Sequence, residues 1–182
     1  MHEVASLAAV ACRTASWPHP LPEGEALRRI ERARAGNESG KALNLAITLK
    51  QMPDALIGLL GAGPQNGGGD GLVVGYLLDV QHQGHGLMTE AMRALVGTVF
   101  GYSSYNTLYG ASGVCNIASR RVLEKAGFRH TGRIAHSAPA RRSRIPCDTL
   151  ELSRDEWRSR SPARAAVRAV ARGEGLPCGH AA

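Results

Sequence analysis

The pattern of hydrophobic and polar positions is clearest in the centre of the chain. Residues 72–78 are apolar apart from Gly75 and predict a buried strand. A turn with two glycines follows at residues 83–88, and apolar residues then recur at helical spacing, at Met88, Ala91, Met92, Leu95, Val96 and Val99. A strand, a glycine turn and a helix in this order can hold phosphate on the N–H groups at the helix start. The pattern alone fits an ordinary strand–helix connection equally well.

The N-terminal part of the chain predicts two helices separated by a loop. Residues 3–12 place apolar side chains on one face of a short helix. The prolines of residues 17–22 predict an extended loop. A second helix is predicted to begin at Pro22 and Glu23 and to stop at Gly36, with its inward face formed by Ala26, Leu27, Ile30 and Ala33.

Two strands are predicted between this helix and the central strand. Apolar and polar residues alternate over 43–49, and residues 55–60 form a short apolar run, which indicates a hairpin. The glycine-rich residues 61–71 predict a long loop to the central strand.

Beyond the central helix, strands and helices are predicted to alternate. The predicted elements are a strand over 105–111, a helix over 116–126 that ends at Gly127, a strand over 128–134, a loop over 135–146 and a strand over 147–152. Ser153 and Glu156 predict a capping box that opens a short helix carrying Trp157. The order predicts a single mixed α/β domain.

The formal net charge of +7 raises the question of nucleic-acid binding. Aromatic residues for stacking on bases are scarce, which disfavours that function. Part of the charge belongs to the last 25 residues, which hold Arg158, Arg160, Arg164, Arg168 and Arg172. A second basic run is interpreted as the solvated face of the second helix: Arg28, Arg29, Arg32 and Arg34.

The four cysteines have no paired spacing, so neither a zinc site nor a disulfide scaffold is indicated. Glu3 stands where a signal peptide would carry a basic residue, and no stretch approaches the ~20 apolar residues of a membrane span. We therefore expect a soluble cytoplasmic protein with reduced thiols, no membrane partner and no metal.

Three segments carry a family resemblance. Residues 75–95, GYLLDVQHQGHGLMTEAMRAL, contain Gln83-x-x-Gly86-x-Met88, where the family pattern Q/R-x-x-G-x-G/A has a small last residue. Residues 116–128, NIASRRVLEKAGF, match N-x-x-S-x-x-V-L-E-K-x-G-F, and the third segment comprises Asp148–Leu150 and Asp155–Trp157. Together they resemble the GNAT family of acetyl-CoA-dependent N-acetyltransferases, in particular the RimJ/RimL-type ribosomal-protein N-terminal acetyltransferases.

This resemblance covers residues 15–158 and implies the GNAT acyl-CoA N-acyltransferase fold. That fold has a central, mostly antiparallel sheet flanked by helices, with a bulged strand before the glycine turn that splays from the next strand. The family's first strand has no counterpart here, so we expect a sheet without it or a native start upstream of Met1. The predicted domain is residues 1–160, followed by a flexible Arg/Ala-rich tail at 161–182.

The resemblance also implies acetyl-CoA as cofactor. Backbone N–H groups of the glycine turn would hold the pyrophosphate, and the splayed strand would pair with the pantetheine arm like an added strand. The N–H of Leu78 would polarise the acetyl carbonyl. The predicted cofactor-binding residues are Tyr76, Leu77, Leu78, Gln83, Gly84, His85, Gly86, Leu87, Met88, Thr89, Asn116 and Ser119.

Ser119 and Asn116 are the predicted catalytic residues. Many family members carry a tyrosine proton donor where this chain has Leu123, so Ser119 is the expected donor to the departing CoA thiolate. Asn116 would hold the pantetheine arm or position a water. Asn116 and Ser119 also fit a simple helix N-cap, and both roles can hold together.

The general base stays unassigned. Some relatives carry a glutamate near the position of Ala138, and His136 is close by, but a loop histidine is often merely solvated. Chains of water are a further alternative.

The predicted activity is acetyl transfer to a primary amine by direct attack in a ternary complex. The acceptor is a protein N-terminus or a small amine, and its choice is expected to depend on the segments around Trp17 and 135–146. A CoA-binding protein without efficient catalysis and a basic nucleic-acid-binding module are the alternatives, and a homodimer is left open.

Overall fold

The computed structural model describes residues 17–65, 69–138 and 142–160. Its elements are α1 (Glu25–Glu38), β1 (Leu43–Ile47), β2 (Gly58–Pro64), β3 (Gly71–Leu78), a 3₁₀ turn (Val80–His82), α2 (Leu87–Tyr102), β4 (Thr107–Gly113), α3 (Ile117–Ala126), β5 (Arg129–Ala138), β6 (Ser143–Ser153) and α4 (Arg154–Arg160). This arrangement confirms the mixed α/β class. The predicted helix over 3–12, the question of a preceding strand and the tail at 161–182 lie outside the described residues.

Six described strands form one sheet in the order β1-β2-β3-β4-β6-β5. All neighbouring pairs are antiparallel except β3 and β4, which are parallel. The parallel pairing covers only Gly71–Val73 against Thr107–Tyr109. From Val74 to Leu78, β3 therefore has an edge that no described strand pairs, which confirms the predicted splay.

The prediction of a bulge in β3 is wrong. Its register with β2 runs without a shift from Gly58↔Leu78 to Pro64↔Leu72. The register shift in this sheet lies instead between β5 and β6, at His130 and Gly132. The splay of β3 from β4 thus arises where the two strands diverge, not from an extra residue in β3.

The core lies between the sheet and the helices α2 and α3. Met92, Leu95, Leu108 and Leu123 have no exposed surface. The predicted inward positions of α2 are all confirmed as buried or packed against this core. At the end of α2, the rings of Phe100 and Trp157 lie 5.6 Å apart and fix α4 against the domain.

The long loop predicted over 61–71 is wrong, because strands occupy most of it. β2 continues to Pro64 and β3 begins at Gly71. Glycine is needed inside these strands for close packing: a Cβ on Gly61 would lie 2.7 Å from Oδ1 of Asn44, and one on Gly71 would lie 2.5 Å from the ring of Tyr109. These glycines allow close packing within the sheet, but in the sequence they resemble loop residues.

The loop predicted over 135–146 is also wrong. β5 continues to Ala138 and β6 begins at Ser143, so the two strands form one long hairpin. Residues 143–146 pair with β5 but lie beyond the pairing of β6 with β4. Polar residues on both faces of this projecting ribbon hide the alternation that identifies a strand.

The helix α1 differs from its prediction at its end and on one face. It passes through Gly36, ends at Glu38 and is capped by Ser39, whose N–H donates to the carbonyl of Ala35. Leu27, expected inward, is 59% exposed. The other predicted boundaries shift by up to three residues, except the C-terminal end of β2 and the ends of β5 and β6 that fall in the two mispredicted loops.

Candidate active site

The glycine turn places the start of α2 over open space. Gly84 and Gly86 have φ angles of +84° and +81°, in the left-handed region that favours glycine. A Cβ on either residue would find no atom within 4 Å. Gly86 caps α2 without a side-chain hydrogen bond, so the N–H groups of the first turn have no partner within the helix. These features leave room and unsatisfied donors for a negatively charged ligand.

Gln83 holds this turn against the end of β3. Its Nε2 donates to the carbonyl of Leu78 at 2.9 Å. His82 lies just before it, with Nδ1 3.2 Å from Oδ2 of Asp79. The first contact joins the glycine turn to β3, and the second lies within the 3₁₀ turn between them, so the helix start is fixed relative to the splayed edge.

A cleft of about 320 Å³, which we name the glycine-loop cleft, lies between the end of β3, the turn and α3. Every predicted cofactor-binding residue lines it except His85, which is exposed and outside the lining. The cleft also contains Arg121 and Lys125, which the sequence analysis did not select. Their spacing of four residues on the helix after Asn116 was the available signal, since it puts both cations on one face.

The N-cap interpretation of Asn116 is confirmed. Its Oδ1 accepts from the backbone N–H of Ser119 at 3.2 Å and caps α3. Gly127 ends the helix with φ of 106°, as predicted. The cap orients the first turn of α3, which carries Ser119 toward β3.

The side chain of Tyr76 contacts Ser119 directly. The Tyr76 hydroxyl lies 2.8 Å from Oγ of Ser119 and donates to the Ser119 carbonyl at 2.9 Å. Burial raises the pKa of Tyr76 to about 12, and the hydrogen bond to Ser119 offsets this only in part. Tyr76 is therefore protonated at neutral pH. The sequence predicts cofactor binding at Tyr76 but does not reveal this contact of its side chain with Ser119.

Asp148 fixes α3 to the hairpin of β5 and β6. This carboxylate is 2% exposed and accepts from Arg120 at 3.1 Å and from Arg133 at 2.8 Å. Nε2 of His130 lies 3.5 Å away. The hydrogen bond from Arg133 holds the pKa of Asp148 below its usual value, and the nearby positive charges add to this against the opposing effect of burial.

A second cavity, the sheet-face cavity, has a volume of about 650 Å³. Residues of α1, α3 and all six strands line it, together with Trp17. It shares Tyr76, Leu77 and Ser119 with the glycine-loop cleft. The two spaces thus meet at the Tyr76–Ser119 contact, in the gap between β3 and β4.

His136 lines the sheet-face cavity from β5. Its Nδ1 lies 3.0 Å from the carbonyl oxygen of Ser137. A carbonyl only accepts, so Nδ1 carries the hydrogen and the neutral ring offers Nε2 as a proton acceptor. Cys147 of β6 lines the same cavity.

The basic run on α1 is only partly a solvated face. Arg28, Arg32 and Arg34 are exposed, whereas the guanidinium of Arg29 lies 4.3 Å from the ring centre of Trp17. Glu25 forms ion pairs with Arg28, Arg29 and Arg32 at 2.7–3.2 Å. Burial raises the pKa of Glu25, but the hydrogen bonds from Arg28 and Arg29 outweigh this and keep it below its usual value.

Within residues 17–65, 69–138 and 142–160, no group of three or more His, Cys, Asp or Glu side chains could hold a metal ion. No helix within the same ranges is long and apolar enough to cross a membrane.

A splayed parallel strand pair beside a glycine-capped helix start can hold a phosphate at the helix start and an extended ligand along the open strand edge. The sequence model of the acetyltransferase (GNAT) domain matches residues 1–129, so the chain belongs to the GNAT acetyltransferase family. This match confirms the resemblance to the GNAT family.

One curated protein shares part of the sequence. A probable N-acetyltransferase, YjcK of Bacillus subtilis (strain 168), is 42% identical over 59 residues, which make up 32% of this chain. The match spans 33% of that relative, about a third of its length.

Solved structures share the fold at low identity. The RimL ribosomal L7/L12 alpha-N-protein acetyltransferase, solved in complex with coenzyme A, has a TM-score of 0.70 and 19% identity, covering 84% of this chain and 85% of that one. Spermidine N-acetyltransferase from Vibrio cholerae, in complex with CoA and spermine, has a TM-score of 0.69 and 14% identity, with coverages of 86% and 89%. At these identities the similarity establishes the fold alone.

Proposed function

We propose that this chain transfers the acetyl group of acetyl-CoA to the α-amine of a protein or peptide N-terminus, by direct attack in a ternary complex. The observation that carries the proposal is the meeting of the two cavities at Tyr76, Leu77 and Ser119. Two substrates bound in separate cavities that join at one point can react without a covalent enzyme intermediate.

The glycine-loop cleft fits the cosubstrate. The open space at Gly84 and Gly86 and the N–H groups of Leu87, Met88 and Thr89 suit the pyrophosphate. Arg121 and Lys125 add positive charge beside it. The unpaired edge of β3 suits the pantetheine arm, and bound acetyl-CoA supplies an activated thioester.

Ser119 is the proposed proton donor to the departing sulfur. The Tyr76 hydroxyl is protonated because its pKa is about 12. Its one hydrogen is donated to the Ser119 carbonyl and can turn to Oγ, 2.8 Å away, where it would stabilise the negative charge that develops as the Ser119 proton leaves. On the acceptor side, Nε2 of His136 is the proposed base that takes the proton from the attacking amine.

The test is turnover of acetyl-CoA with a panel of peptides, followed by mass spectrometry of the acetylated product. We expect Ser119→Ala to lower kcat by about 10²-fold or more, the usual contribution of a positioned proton donor, while the affinity for CoA stays unchanged. Ser159→Ala is the control, because Ser159 lies on α4 outside both cavities and bonds only locally, to the carbonyl of Glu156.

A double-mutant comparison tests the pairing of the two hydroxyls. If Tyr76 acts through Ser119, then Tyr76→Phe lowers kcat in the wild type but adds nothing in the Ser119→Ala background. CoA binding without acetylation of any acceptor would reject this function in favour of the CoA-binding alternative. Full activity of Ser119→Ala would reject the assigned donor.

A further inference from the structure

The sheet-face cavity has a one-sided charge. Its described lining includes Arg29, Arg32, Arg34 and His136, and within that described lining there is no aspartate or glutamate. The floor of the cavity consists of apolar residues with small side chains or none, among them Gly61, Ala62 and Gly75. A cationic acceptor such as a polyamine would meet repulsion here and no carboxylate to bind it.

Among the described residues, the ion pairs at this wall neutralise only part of its positive charge. Glu25 lies outside the lining and is shared by three arginines, Arg28, Arg29 and Arg32. Among the ion pairs of the described residues, none involves Arg34. The side chain of Arg32 is 67% exposed, so it can reorient toward a ligand. An anionic group entering from this side gains charge-assisted hydrogen bonds.

The order of the strands sets the distance between the arginines of α1 and the Tyr76–Ser119 contact, where acetyl transfer is proposed. The arginines belong to α1, which packs over β1, while Tyr76 lies on β3. β1 and β3 are separated by β2, and adjacent strands lie ~4.8 Å apart, so the two ends are on the order of 10 Å apart. An extended peptide rises ~3.3 Å per residue, which places its third or fourth residue at the arginines when its N-terminus is at Ser119.

We infer that the acceptor is an acidic peptide N-terminus, with carboxylates at about its third and fourth positions bound by Arg32 and Arg34. This inference deepens the proposed function and rests on it. The carboxylate of a free amino acid is too close to its own amine to span this distance.

The experiment compares matched probes. The full chain is given acetyl-CoA with the pentapeptide Ala-Ala-Asp-Asp-Ala, its Asn-Asn and Lys-Lys counterparts, free aspartate and spermidine. We expect the highest kcat/KM for the acidic peptide, with an advantage over the Asn peptide that shrinks as salt is raised.

Substitution of the arginines tests whether they cause the preference for the acidic peptide. The double variant Arg32→Gln/Arg34→Gln should lose on the order of fivefold in kcat/KM for the acidic peptide and nothing for the Asn peptide. Arg28→Gln is the matched control, because Arg28 is exposed on the same helix and pairs with the same Glu25 but lies outside the cavity lining.

Binding of the same peptides to the CoA-loaded protein, measured by calorimetry, separates this inference from the proposed function. Tighter binding of the acidic peptide that depends on Arg32 and Arg34, without turnover, would support the inference and reject acetyl transfer. Equal use of the Asn, Lys or spermidine probes, a preference that survives the double variant, or free aspartate performing as well as the peptide would overturn the inference.

Discussion

Tyr76 links the packing of the core to the proposed proton transfer. Its ring packs against the core while its hydroxyl reaches Ser119 across the gap between β3 and α3. Burial raises its pKa from 10.0 to about 12, which means that the folded protein holds this proton more tightly than the unfolded chain does. The free energy of unfolding therefore depends on the protonation of Tyr76 at alkaline pH.

The sign of this coupling gives a prediction. The contribution is fully present below pH ~10 and is lost as the pH rises from about 10 toward about 12, because the unfolded chain releases the proton first. Two pKa units correspond to at most about 3 kcal/mol. We expect the free energy of unfolding, measured by urea titration, to fall more steeply over this range in the wild type than in Tyr76→Phe. Parallel curves for the two proteins would contradict the raised pKa.

The sequence could not predict this contact. The two-residue period of side chains along β3 indicates which face Tyr76 occupies, but its partner Ser119 is 43 residues away, on α3. Gly84 and Gly86, by contrast, were predictable because positive φ and a helix start are local properties. Arg32 and Arg34 were interpreted as solvated because the sequence does not show that α1 covers the sheet-face cavity.

Among the elements, α2 carries glycines with opposite roles. Gly86 has φ of +81° at the N-cap, whereas Gly97 lies inside the helix without a positive φ. A Cβ would meet no atom within 4 Å at either position. The difference between them is therefore conformational, and at Gly86 it is combined with the proposed approach of a phosphate.

We predict opposite effects of the same substitution at these two sites. Gly86→Ala should destabilise the protein by about 1–2 kcal/mol and weaken CoA binding, because alanine resists the left-handed conformation. Gly97→Ala should stabilise it by about 0.5–1 kcal/mol and leave CoA binding unchanged, because alanine lowers the entropy lost on helix formation. Thermal unfolding with and without CoA measures both effects. Equal CoA affinity in the two variants would argue against the glycine turn as the pyrophosphate site.

Element types were predicted better than their ends, for a physical reason visible in β2, β3 and the β5–β6 hairpin. Glycines in the first two strands allow close packing against Asn44 and Tyr109, but in the sequence they resemble loop residues. The hairpin extends past β4, so neither of its faces requires a continuous apolar row. Local patterns report burial, and these segments owe their strand conformation to their neighbours.

For the whole molecule, Asp148 joins the two halves of the site. It connects α3, which carries Ser119, to β5, which carries His136. Because its pKa is lowered in the folded state, chiefly by the hydrogen bond from Arg133, its contribution is present above pH ~4 and is lost as the pH falls through the folded value.

Asp148→Asn should therefore lower the melting temperature at neutral pH and reduce the loss of stability on acidification. It should also lower kcat, since α3 and β5 are no longer held in register. Asp54→Asn, an exposed substitution in the turn after β1, is the control for both measurements. If the stability of Asp148→Asn falls on acidification as steeply as that of the wild type, Asp148 does not couple folding to pH.

Among the residues that the structure describes, the two cavities share Tyr76, Leu77 and Ser119, which has a consequence for how such a protein can diversify. The remaining walls are separate: the glycine turn, α2 and the outer face of α3 form one, and α1 with β1 and β2 forms much of the other. Substitutions in α1 can accumulate without changing any residue that lines the glycine-loop cleft. The two cavities thus lie on largely separate sets of residues, and an exchange of α1 alone is a rational starting point for changing the proposed amine acceptor.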